Sequence, residues 1–452
     1  MGWFGKKGKN LPPSEMGPAI AFESLSGDDQ QRQANTIATR QVEALVPVKE
    51  LIYDALSKCS TRILLDYTAQ AVSVRYLIDG VWHNLEARDR ETGDAMLFVL
   101  KRLSNAIPEE RRAKQNGKFR AEMNGDRVDC EMTSQGVPTG ERVVIDIRRK
   151  IITYETLEDL GMRTKMRESL QAMLGGKTGF IIFSAMPEGG LSTTWQVGLG
   201  CTDRYMRDFV GIDNKVNPEP EVQNIDMQHF DRTLGETVLT PLHSMMLKEP
   251  DAIAIPDLFD GKSVDALCDQ VNDNKKLLVG TVRAKEASEA LLRVLHMNAT
   301  PVKFAKAVTG VLCQRLIRKL CDRCKQPFQP QPQLLQRLGI PIGRVQHLYQ
   351  QYQPPTPEQL EEMNKELKKK GEPEIPAVCP ACGGVGYRGR TAIFELLVIN
   401  DHLREALIKN PKMDVLRDIA RKTGHRTLQE EGIVHVATGA TSVQELQRVL
   451  SQ

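Results

Sequence analysis

Four short apolar runs, GFIIFSA (179–185), FVGID (209–213), DAIAIPD (251–257) and KLLVGTV (276–282), alternate with stretches of helical spacing such as STTWQVGLGCTDRY and ASEALLRVLHM. A strand that is apolar on both faces needs cover on both, so the pattern predicts an α/β fold with a parallel sheet between helix layers. Sheets of this kind bind ligands beyond the carboxyl ends of their strands. That rule aligns AMPEGG, Asp213 and Asp257 along one rim.

At 452 residues the chain exceeds one ordinary core, which leaves room for a domain ahead of this sheet. Residues 1–38 are rich in Gly, Pro, Gln and Ser and read as a flexible tail. Over 39–150 the sequence reads as an N-terminal α/β sandwich. VEALVPVKELIYDALSKC and ETGDAMLFVLKRLSNAI have helical spacing, RILLDYTAQAVSVRYLIDGVWHNLEA reads as strands with a hairpin at Asp79 and Gly80, and 117–149 alternates with period two around Asn124 and Gly125. The sheet domain follows over 155–320. A segment with four cysteines and a charged helical insert, EQLEEMNKELKKK, covers 321–395, and a helical region closes the chain over 396–452.

Composition removes several function classes. A formal charge of +3 and 5% aromatic content give neither the basic field nor the stacking platforms of a nucleic-acid binder. No apolar run reaches the roughly 18 residues that span a bilayer, and MGWFGKKGKN lacks the apolar stretch of a secretory signal, so a cytoplasmic location is expected. Lys6 stands where N-myristoylation after Gly2 wants Ser or Thr. Trp3 and Phe4 beside Lys6, Lys7 and Lys9 fit either a contact with an anionic membrane surface or a plain tail.

Of nine cysteines, Cys59, Cys130, Cys201, Cys268 and Cys313 stand alone, while Cys321, Cys324, Cys379 and Cys382 form two CxxC pairs. Two such turns bring four thiolates onto one tetrahedral ion. Zn²⁺ held by four sulfurs has no open position, so the expected role is structural; an empty or redox-active set is the alternative.

The segment GFIIFSAMPEGGLSTTW has the outline of a phosphate-binding loop between a strand and a helix. Its candidate residues are Ala185, Gly189, Gly190, Leu191, Ser192 and Thr193. Ala185 stands where the first glycine belongs, and Leu191 where the lysine does. Backbone N–H groups and Ser192 could still meet phosphate and Mg²⁺, but losing a hydrogen bond to a charged group costs roughly 1.5–3 kcal/mol. A nucleotide loop and an ordinary strand-turn-helix both stay open. Lys177, in GGKTG, precedes the strand instead of following it and does not fit the motif's lysine position.

Other stretches carry a resemblance. RYLIDGVWHNL, IPEERRAKQNGKFR, VDCEMTSQGVPTGERVVIDI, LSTTWQVGL, LHSMMLKEPDAIAIPDLFD, VTGVLCQRLIRKLCDRC and CPACGGVGYRGRTAIFELL resemble, in order and spacing, the type II secretion and type IV pilus assembly ATPase family over roughly residues 42–450. The resemblance implies a PAS-like N-terminal domain over 39–150 and a RecA-like P-loop domain over 155–320. It also implies a hexamer with related ATPase subunits, peripheral to the inner membrane, that acts on a membrane platform protein and is driven by ATP with Mg²⁺.

Carried over residue by residue, the family's phosphate lysine falls on Leu191 and the acidic box on Asp213 and Asn214. The paired arginines fall on His243 and Leu247, the Walker B stretch on Pro256, Asp257, Leu258, Phe259 and Asp260, and the histidine box on Thr281, Val282 and Arg283. A commonly basic position in the first domain is Glu131. Asp79, Gly80, Gly140, Glu141, Arg142, Asp251, the four cysteines, Arg388 and Arg390 fit the family pattern. Candidate catalytic acids survive at Asp213 and Asp257, whereas the cations for phosphate are missing. The expectation is a pseudo-ATPase that serves as an assembly or regulatory subunit; the alternatives are a working ATPase using Lys177 or Lys248, and a binding scaffold.

Overall fold

The computed structural model of the chain describes residues 12–148, 154–371 and 373–451. It divides into two compact units. One lies within residues 1–152 together with 321–325 and 351–389, and the other comprises the remaining segments.

The first unit is an antiparallel sheet with helices on one face. It runs β1 (Ile20–Ser24), α1 (Asp29–Arg40), α2 (Leu45–Ser57), β2 (Ser60–Tyr67), β3 (Ala71–Ile78), β4 (Val81–Asn84) and β5 (Arg88–Asp89). Then come α3 (Arg90–Leu103), β6 (Gln115–Met123), β7 (Asp126–Val137) and β8 (Gly140–Arg148). The order is β1-β6-β7-β8-β2-β3-β4, with β5 against β3. Strand alternation sends Ile63, Leu65, Tyr67, Val74, Tyr76 and Ile78 into one core with α2 and α3. The Tyr67 and Tyr76 hydroxyls donate to the Gly93 and Leu51 carbonyls, so both buried phenols are satisfied. The opposite face carries cross-strand ion pairs such as Arg62 with Asp146 and Arg148 with Glu131. Lys101 and Glu141, both buried, meet at 2.6 Å.

The expected flexible tail is corrected over much of its length. Residues 1–11, which include Trp3, Phe4, Lys6, Lys7 and Lys9, lie outside the described residues, but β1 and all but the last two residues of α1 fall inside the expected tail. β1 pairs with β6 from Ile20 opposite Met123 to Ser24 opposite Phe119. α1 starts with a reciprocal capping box between Asp28 and Gln31. A polar composition concealed elements whose order comes from pairing and capping.

The second unit contains the predicted parallel sheet. It runs α4 (Thr164–Leu174), β9 (Gly179–Ala185), α5 (Leu191–Gly200), β10 (Phe209–Asn214), β11 (Ile225–Phe230), α6 (Leu239–Met246) and β12 (Ala252–Ile255). It continues with α7 (Gly261–Asn272), β13 (Leu277–Val282), α8 (Ala287–His296), α9 (Pro301–Ala307) and β14 (Val308–Leu320). A two-stranded pair, β15 (Gln326–Phe328) and β16 (Leu348–Gln350), flanks α10 (Pro332–Leu338). After α11 (Pro357–Lys370), which buries no residue and belongs to the first unit, come β17 (Tyr387–Val398), α12 (Asp401–Lys409), α13 (Met413–Lys422), α14 (Leu428–Ala437) and α15 (Val443–Leu450).

The sheet order is β11-β10-β12-β13-β9-β14-β17, and every pair from β11 to β14 is parallel. In β9, Phe180 and Ile182 enter one core and Ile181 and Phe183 another, so both faces are covered. The segment expected as one module is divided: 321–325 and 351–389, which carry all four cysteines, pack with the first unit, and 326–350 and 390–395 with the second. No helix among the described residues is long and apolar enough to cross a membrane.

Candidate functional site

Parallel pairing places the carboxyl ends of β9, β10, β12 and β13 on one rim, as the apolar runs require. The loop after β9 turns through Glu188 (φ 62) and Gly190 (φ 81), both in the left-handed region. Gln314 on β14 pins it from below, its Nε2 donating to the Gly189 carbonyl at 2.8 Å. A Cβ on Gly190 would press Leu316 at 3.2 Å, so the loop lies close against β14.

The helix that follows decides where the lysine position points. Along α5, Leu191, Thr194, Trp195 and Gly198 are buried at helical spacing. Gly198 lets the helix approach Phe183, against which Trp195 packs edge to face at 6.3 Å. Leu191, 5% exposed, belongs to this core-facing stripe. Ala185 is buried, while Gly189, Ser192 and Thr193 are partly exposed. The turn thus keeps the outline of the loop with an apolar anchor at the cation position.

Asp213 is 3% exposed, and its two oxygens are engaged by its own chain. Oδ1 accepts the Asn214 N–H and Oδ2 the Glu219 N–H, each at 2.6 Å, closing the turn after β10. Burial pushes its carboxyl above the ordinary range, against the downward pull of the two N–H bonds. Asp257, just beyond β12, is half exposed and 3.7 Å from Arg232. Partial desolvation raises its carboxyl, opposed by Arg232 and Arg283.

Phe259, in the expected Walker B stretch, stacks on Phe230 at 5.7 Å and carries the Arg232 guanidinium on its face at 4.3 Å. This three-membered stack was not legible, because Arg232 enters from the turn after β11. Asp260 caps α7 by accepting the Ser263 N–H at 2.8 Å. His243, Leu247 and Arg283 are exposed. Neither substitute lysine stands at the rim: Lys177 precedes β9, and Lys248 pairs at 2.6 Å with Asp226 near the start of β11, at the amino end of the sheet.

The cysteine site differs in kind. The four sulfurs lie within 4.8 Å of one another, with Cys321 to Cys379 at 4.0 Å and Cys324 to Cys382 at 3.6 Å. A tetrahedral Zn–S bond of about 2.3 Å implies S···S edges of about 3.8 Å, so this donor set fits the ion. The separations are far beyond a disulfide's roughly 2.05 Å. The Gly386 N–H donates to Cys382 Sγ, and the Cys321 N–H to the Gly386 carbonyl, which locks the two turns together. Gly383, Gly384 and Gly386 all have positive φ, as these tight turns need.

The profile of the type II/IV secretion system protein family matches residues 38–448. The chain belongs to this family. Among its relatives, the type IV pilus assembly ATPase PilB of Thermus thermophilus is 25% identical over 98% of the chain and 49% of its own length. The type II secretion system protein E of Pectobacterium carotovorum is 24% identical over 90% of the chain and 75% of its own length. This family member therefore spans about half of the first relative and three quarters of the second. The ATPase DotB of Legionella pneumophila shares the fold at a TM-score of 0.53 and 10% identity, over 90% of this chain and 95% of that one.

Proposed function

We propose that the protein is a catalytically impaired member of the secretion and pilus ATPase family, serving as an assembly or regulatory subunit. In this reading it keeps a RecA-like domain and joins a hexamer, either of its own copies or with active relatives. It sits on the cytoplasmic side of an inner-membrane platform protein, with Zn²⁺ held structurally by Cys321, Cys324, Cys379 and Cys382. The zinc would be a closed tetrahedral crosslink and would take no part in hydrolysis.

The observation that carries the reading is Leu191 inside the α5 core stripe, where a triphosphate would need an ammonium. Phosphoryl transfer depends on positioning and charge stabilisation, and an arginine finger alone is worth about 10³–10⁵ in rate. Leu191, Leu247 and Phe259 withdraw that support together, and Asp213 is committed to its own turn.

A second reading, a working ATPase with substituted ligands, draws on Arg232 and Arg283 beside Asp257. Phosphate release by the purified full chain separates the two. Turnover below about one per minute, unchanged in Asp257→Asn, is expected; faster release that Asp257→Asn abolishes would establish the second reading.

A further inference from the structure

A cavity of about 780 Å³ opens in the second unit between the start of α4, the end of β17 and the turn before α14. It is not the loop site. Where β17 ends, the Ile399 N–H donates to the Thr309 carbonyl near the start of β14, whereas the loop is pinned by Gln314 farther along that strand. The volume falls in the range of small-molecule sites, which pair an apolar lining with a few converging polar groups.

Its charge is one-sided. Arg163, Lys165 and Arg426 line it against a single carboxylate, Glu431, which is itself buried and paired with both arginines. Lys165 is exposed and makes no ion pair among the described residues. Among the lining side chains, three cations against one acid leave a surplus of two positive charges. His425, whose ring is either neutral or positive, cannot offset them; its Nε2 lies 2.7 Å from Glu395, which does not line the cavity, and its Nδ1 3.1 Å from the Leu396 carbonyl. The Thr164 hydroxyl adds a polar group beside Lys165, while Met166, Leu396 and Leu397 supply an apolar wall.

We propose that this cavity binds a small phosphate monoester with an apolar body, the dianion held by Lys165, Arg426 and Arg163 and the body against Met166, Leu396 and Leu397. A dianion matches the surplus of two charges, and a guanidinium can grip a phosphate with two parallel N–H bonds. Such a ligand would bridge α4, β17 and the turn at 423–426, tying the helical C-terminal region to the sheet. The site is independent of the rim, so its failure would leave the reading of the nucleotide loop untouched.

Isothermal titration of the full chain at low salt, with phenyl phosphate and inorganic phosphate as probes, tests it. Phenyl phosphate is expected to bind with a Kd near or below about 1 mM, and inorganic phosphate at least about tenfold more weakly, because only the ester reaches the apolar wall. Lys165→Ala combined with Arg426→Ala should weaken phenyl phosphate by at least about tenfold with an unchanged circular dichroism spectrum. Should that double variant fail to fold, Lys165→Ala alone, which removes no ion pair, should still weaken it at least about threefold. No saturable binding below about 10 mM, equal affinity for the two probes, or binding indifferent to these variants would each overturn the proposal.

Discussion

The cysteine turns and the strand rim are both loop-borne sites, yet they differ in completeness. At the turns every donor for a tetrahedral ion is present, and the surrounding N–H groups support the sulfurs. At the rim the backbone outline persists, but the side chains face inward or bind the chain itself: Leu191 enters the core, Asp213 closes a turn and Phe259 stacks. A fold can hold the shape of a binding loop through its own packing and hydrogen bonds: here the strand-turn-helix is fixed by the apolar faces of β9 and α5 and by Gln314.

If the cysteine set is complete, purified protein should carry one zinc per chain by elemental analysis, and Cys379→Ser should lose it. Structural zinc contributes on the order of 10 kcal/mol to small zinc-dependent folds, so the first unit should melt well below its normal temperature. A zinc-free native protein, or a Cys379→Ser variant that melts unchanged, would remove the contrast from one side.

The next effect probes the rim's anchor. Leu191→Lys must either bury an ammonium or strip apolar contacts from α5, and should lower unfolding stability by about 2–4 kcal/mol in denaturant titration without restoring ATP turnover. A stable, active variant would mean the position still faces phosphate.

Asp213→Asn removes one of two charge-assisted acceptors and should cost about 1–3 kcal/mol. Burial raises the native Asp213 value above the unfolded one, so the native state holds the proton longer and stability falls as pH rises across that interval. The asparagine variant lacks this slope. The stability gap between the two proteins should therefore narrow as pH climbs above the ordinary aspartate value of about 3.9. A gap that widens would mean the carboxylate is favoured in the fold.

The smallest effect is expected for Arg232→Ala, which removes an exposed ion pair and one cation–π contact: about 1 kcal/mol or less by the same titration. A larger loss would make the Phe230, Phe259 and Arg232 stack a structural element of the rim.

Much of this was legible in sequence. The four apolar runs are β9, β10, β12 and β13, parallel as their two-sided hydrophobicity demanded, and the CxxC spacing found the sulfur cluster. β11 was missed because IDMQHF is polar on an edge strand, and β1 and α1 because they lie in a stretch rich in Gly, Pro, Gln and Ser. The bonding of Asp213 to the Glu219 N–H and the approach of Arg232 to Phe259 depend on turn geometry between elements, which side-chain periodicity does not encode.

In the proposed reading the rim does not hold the anionic tail of a nucleotide. Isothermal titration of the full chain with MgATP measures this directly. No saturable heat is expected up to about 1 mM nucleotide. A micromolar dissociation constant that weakens at least about tenfold in a loop variant such as Ser192→Ala would contradict it.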